Sequence, residues 1–163
     1  MTKALVTHGF TVALLSGDMD LMNDTIKAIL LSPDYEFDGD NHSNLSTITS
    51  YQLSTGNGYV QNDKTLTGAT SGGNLNENTS YVIWDDISWT ASGGSIGPFG
   101  WLALYNDTDS SDRVVGCARL GKSLLLTDGA ILTIRYPKVT VYRKPNEDRF
   151  TTTTTTSSTT TTV

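Results

Sequence analysis

The chain has one cysteine, four prolines and two histidines in 163 residues, and only 17% of it is charged. A lone thiol, Cys117, excludes an internal disulfide and any zinc site built on several cysteines. Set in "RVVGCARL", it reads as a small buried hydrophobe. No apolar run approaches the roughly 20 residues of a membrane span. The opening "MTKALVTHGFTVALLSG" resembles a leader only until Thr7, His8 and Gly9 interrupt it, so no signal peptide is expected. A net charge of −6 and a pI near 4.6 speak against a nucleic-acid or anionic-membrane partner.

Ser, Thr, Gly and Asn are abundant instead, and they suit turns and extended backbone better than long solvated helices. The length allows one domain with a core. Charge is unevenly spread. Residues 1–112 hold three Lys and fourteen acids, giving −11, while residues 113–163 hold eight Lys or Arg and three acids, giving +5. An acidic body with a basic end is suited to docking on a complementary surface.

Strands are expected at "FTVALLS" (10–16), "DTIKAILLS" (24–32) and "LSTITSYQLST" (45–55), the last from its period-two alternation. The second of these has some helical character at its start. A short strand is expected over 64–69 within an otherwise irregular stretch, followed by "SYVIWDDISWTA", "FGWLALYND", "RVVGCARLG" and "AILTIRYPKVTVYRK". Pro137 puts an edge or a bulge in the middle of the last. Seven or eight short strands between Gly-rich turns indicate an all-β, antiparallel sandwich or barrel-like domain. The domain spans 1–149, and an extended C-terminal arm of almost pure Thr and Ser occupies 150–163. Such a run cannot offset its ordering entropy by burying apolar surface, so by itself it reads as a disordered stalk, and any order in it has to come from a partner. Its β-branched residues favour strand addition to a neighbour's sheet edge.

Few residues suggest chemistry. "GGSIG" matches the G-x-S-x-G elbow with Ser95 as nucleophile, but that motif needs a helix after the turn and a later His. Here Pro98 and a strand follow, and His8 and His42 lie upstream. "DYEFDGD" places Asp34, Glu36, Asp38 and Asp40 like the first half of a calcium loop, with Leu45 where the bidentate Glu should stand. "NDTDSSD" groups Asp107, Asp109 and Asp112 at what reads as a hairpin tip. Asn23, Asn41, Asn44, Asn78 and Asn106 begin Asn-x-Ser/Thr triplets that chance explains in such a composition. The aromatic residues Trp84, Trp89, Trp101, Tyr51, Tyr59, Tyr81 and Tyr105 read as core, with a glycan-stacking surface as the other option. No cofactor or metal is expected.

Taken in order, "DLMNDTIKAILLSPDYEFDGDNHSNLSTI", "TGNGYVQNDKTLTGAT", "IWDDISWTASGGSIGPFGWLALYNDT" and "VVGCARLGKSLLLTDGAILTI" resemble small structural proteins of tailed bacteriophages, including cyanophages. The resemblance spans about residues 18–135 and lies in the series rather than in any one motif. It implies a non-enzymatic virion component, made in the host cytoplasm and placed on the capsid surface as a cement or decoration protein. Its implied partners are the major capsid protein and its own copies, as a homodimer or homotrimer on a symmetry axis. A tail or baseplate adhesin that binds host glycans is the alternative. The basic segment 135–149 and the Thr tail depart from the usual pattern. Arg135, Lys138, Arg143, Lys144 and Arg149 are therefore the expected charge contacts, and Thr151, Thr153, Thr155 and Val163 mark the expected arm.

Overall fold

The structure, a computed structural model, describes residues 5–76 and 79–142. The fold is all-β, and every ladder is antiparallel. Strands β1 (Leu5–Val6), β2 (Ile26–Leu31), β3 (Lys64–Thr65), β7 (Ile96–Asn106) and β8 (Val114–Leu126) form a five-stranded sheet ordered β1-β8-β7-β2-β3. A second sheet, ordered β10-β5-β4, joins β10 (Lys138–Tyr142), β5 (Thr79–Ile83) and β4 (Thr70–Asn74). A third is the ribbon of β6 (Ile87–Thr90) and β9 (Ile131–Ile134).

The large sheet is buried on both faces, which explains the nearly unbroken apolar runs of β2 and β7. On one face Ala28, Leu30, Leu102 and Leu104 pack with Phe10, Trp89 and Val139. On the other, Ile29, Leu31, Trp101, Ala103 and Cys117 pack with Tyr35, Leu45 and Ile48. Because side chains alternate along a strand, the register Ala28↔Leu104, Ile29↔Ala103 sorts successive residues into the two cores. A register shift between Leu104 and Tyr105 makes Val115 an extra residue in β8, so Val115 and Cys117, two apart, go to different cores and Val114 rejoins that of Cys117.

Two expected strands are helical. Residues 8–16 form α1 (His8–Ser16), because Thr7 caps its start by accepting from the Phe10 N–H at 3.1 Å and Gly17 closes it at φ 82°. Phe10 and Ala13, three residues apart, are the buried pair, so the burial period is that of a helix. Likewise "LSTITSY" forms the short helix α2 (Leu45–Ile48) and a 3-10 turn (Thr49–Tyr51), burying Leu45 and Ile48 at helical spacing. The alternating threonines there are exposed and decide nothing. Two expected strands are divided. "SYVIWDDISWTA" breaks between β5 and β6, where Trp84 N–H bonds the Pro137 carbonyl at 3.0 Å, Asp85 N–H bonds the Thr67 carbonyl at 2.9 Å, and the Asp86 carboxylate accepts the Tyr136 N–H at 2.9 Å. "AILTIRYPKVTVYRK" breaks at Pro137, which separates β9 from β10 and assigns them to different sheets. The strand expected over 64–69 shortens to β3, and β4 falls in the stretch read as loop.

Candidate functional site

Of the residues expected to make charge contacts, Arg135 and Lys138 stand at the corner between β9 and β10, and both are exposed. Arg143, Lys144, Arg149, Thr151, Thr153, Thr155 and Val163 lie outside the described residues, as does the boundary at 149. The corner is rigidly made. Tyr136, 62% exposed, holds φ 47°, and its N–H donates to the Asp86 carboxylate. Lys138 Nζ sits 4.8 Å from the centre of the Tyr81 ring.

Most other described cations are engaged. Lys27 pairs with Asp107 and Arg113 with Asp109, each at 2.8 Å. Lys64 lies over Trp89 and Arg119 over Trp101, 5.6 and 5.4 Å from the ring centres. Arg135 and Lys122 have neither an ion pair nor a ring contact among the described residues, so Arg135 adds an uncommitted positive charge to the corner.

Beside this corner the three-stranded sheet faces the end of α1 and residues 17–22 across a groove of about 670 Å³. Leu14, Met19 and Met22 line one wall; Tyr81, Val82 and Val139 line the other. β4 adds Ser71 and Gly72 to its lining. Gly72 is directly opposite Tyr81, and a Cβ there would come within 2.7 to 3.0 Å of the Tyr81 ring, so that ring lies flat across β4. Asp20 supplies the groove with a negative charge. Hydrogen bonds from the Asn23 amide and the Met22 N–H hold its carboxyl below the usual carboxylate range.

The motifs that suggested chemistry are structural in the described residues. Ser95 occupies a turn that enters strand β7 rather than a helix, and its carbonyl accepts from the Asn57 side chain at 2.9 Å. Asp38 caps its own loop through the N–H groups of Asp40 and Asn41. Asn106 is buried, its side chain bound to Asp24 at 2.7 Å and to the Thr108 N–H at 2.8 Å. Trp84, Trp89 and Trp101 are core residues, which leaves a glycan-stacking surface without its tryptophans. Burial pushes the Cys117 thiol up to about 11, and the Tyr35 hydroxyl 3.5 Å away opposes this only in part. Among the described residues no group of three or more His, Cys, Asp or Glu is placed to hold a metal, and no helix is long and apolar enough to cross a membrane.

Asp109 has a clear energetic role. Its carboxylate accepts from the Ser111 hydroxyl at 2.6 Å, the Ser111 N–H at 2.8 Å and Arg113 Nε at 2.8 Å, and these bonds lower its pKa to about 2. The folded value lies below the ordinary ~3.9, so the contribution is complete above about pH 4 and is lost as pH falls through 2. Asp109→Asn is expected to cost about 1–2 kcal/mol at pH 7, discounted for partial solvent screening, and nearly nothing below pH 2. Urea unfolding of both proteins at the two pH values measures this; an equal gap at both would assign the loss to something other than the charge.

The groove and the β4 edge escaped the sequence reading, because a glycine-rich strand carries no hydrophobic alternation. The Tyr81–Gly72 pair was the available sign, and it appears only once the register is known. No protein-family model matches the chain, and no curated protein or solved structure shows significant similarity to it.

Proposed function

We propose that this chain is a non-enzymatic virion protein of a tailed phage that binds the outside of the assembled capsid across contacts between major capsid subunits. The observation that carries this reading is where the C-terminal segment begins. β10, at the edge of its sheet, leads from the exposed Arg135 and Lys138 into a segment with Arg143, Lys144 and Arg149 and then a run of threonines, all on an otherwise acidic body. That layout matches a domain that docks by charge and reaches outward with an arm. The phage setting is the one that the expected resemblance of residues 18–135 implies, and self-association on a capsid symmetry axis would add avidity.

The mechanism is linkage. A protein that binds the assembled lattice and not free subunits stabilises the lattice by RT ln(1 + [L]/Kd), about 2.7 kcal/mol per site at a hundredfold excess over Kd. No cofactor or metal enters this account. The test is co-sedimentation with purified expanded capsids at low and high salt. Saturable binding is expected, weaker at high salt, and at least tenfold weaker for a chain ending at Arg149. Absence of binding at both salt concentrations would reject the capsid reading and turn attention to the tail or baseplate.

A further inference from the structure

The sheet edges are not equally protected. β1 and β3 are two residues long, and β10 opens on Pro137 and Lys138, the features with which proteins discourage pairing at an edge. β4 has neither. Its sequence is "TSGGN", with no proline or charge, and among the described residues no strand pairs with its outer edge along 70–73. The apolar groove adjoins that edge, since Ser71 and Gly72 are part of its lining. Its methionines are suited to an irregular apolar guest, because an unbranched thioether adapts its shape. Met22 is 42% exposed at the groove, and Asp20 places a negative charge there.

The chain beyond Tyr142 offers a guest with the matching chemistry. It is 21 residues long, and its only large apolar side chains are Phe150 and Val163. Phe150 stands between Arg149 and the first six threonines, so a cation, an aromatic ring and a strand-forming run follow one another, chemically suited to Asp20, the apolar walls and the β4 backbone along 70–73. Fully extended, 21 residues reach about 70 Å, whereas a domain of this size has a radius of gyration of about 15 Å. The segment can therefore pass beyond its own body to a neighbour.

We propose that the groove and β4 edge of one copy receive the C-terminal segment of a second copy, with Phe150 in the groove, Arg149 beside Asp20 and the threonine run paired along residues 70–73. This rests on the arm-docking part of the reading above and names the arm's acceptor. Backbone pairing supplies affinity and the Phe150 seat fixes register, the division of labour usual in strand addition. Copies bound at neighbouring capsid positions would thereby be tied to one another.

The experiment uses two full-length variants, Ser71→Cys and Thr152→Cys, mixed under mild oxidation. Ser71 is exposed, and Cys117 is too buried to compete. A mixed interchain disulfide is expected, and adding Phe150→Ala to the arm variant should lower its yield roughly tenfold. Capsid co-sedimentation of the same proteins separates the two readings. Capsid binding without a mixed disulfide overturns the arm exchange and leaves the capsid reading standing; a mixed disulfide without capsid binding supports the exchange alone. A doubly substituted chain that closes only on itself also overturns the proposal, because the acceptor is then occupied by the chain's own arm.

Discussion

Thr7→Val is expected to destabilise the protein by about 2–4 kcal/mol, although it exchanges a hydroxyl for a methyl at nearly constant volume. Thr7 is completely buried. Its hydroxyl donates to the Val114 carbonyl at 2.6 Å and accepts the Phe10 N–H at 3.1 Å, so one atom both caps α1 and ties it to the start of β8. Valine fills the space and makes neither bond. Losing a helix cap costs about 1 kcal/mol, and leaving buried polar groups without a partner costs about 1–3 kcal/mol more. Thr7→Ser keeps both bonds and gives up one methyl, for about 1 kcal/mol. Chemical denaturation of the three proteins decides the matter. If serine proves as damaging as valine, packing rather than capping governs the position.

Thr7 also shows why the N-terminal helix was hidden from the sequence. "FTVALLS" is rich enough in branched and aliphatic residues to read as a strand, and what overrides that preference is a cap whose second bond comes from a residue 107 positions away. Local propensity has no access to such a contact. The same holds for "LSTITSY", where only the burial of Leu45 and Ile48 against Tyr35 and Trp101 selects the helical period. By contrast β2, β7 and the start of β8 (Val114–Cys117) were legible because apolar stretches buried on two faces leave few alternatives. The antiparallel all-β class followed from those strands and their glycine-rich turns. Of the proposed docking surface, the cations at 135 and 138 were visible as charges, whereas the groove is made by the end of α1, residues 17–22 and the three-stranded sheet, which lie far apart in the sequence.

The second large effect is expected at Trp101, where two substitutions should separate sharply. Trp101 is 6% exposed in the core beneath residues 32–52 and meets Tyr35 edge-on, with ring centres 5.5 Å apart and planes at 87°. Arg119 covers it from the solvent side. Trp101→Ala removes the largest side chain of that core and leaves a cavity that its neighbours fill only in part; a loss of about 3–5 kcal/mol is expected. Trp101→Phe should cost less than about 1.5 kcal/mol. The reason lies in the indole nitrogen. Nε1 is buried and has no hydrogen-bond partner among the described residues, so none of them offsets its desolvation. Phenylalanine removes that burden and keeps a ring for both Tyr35 and Arg119, which offsets part of the lost area. Urea unfolding of the two variants at constant pH measures the gap. Equal destabilisation by Phe and Ala would mean that Nε1 finds a partner in solution, and the polar end of Trp101 rather than its bulk would then hold this face of the sheet.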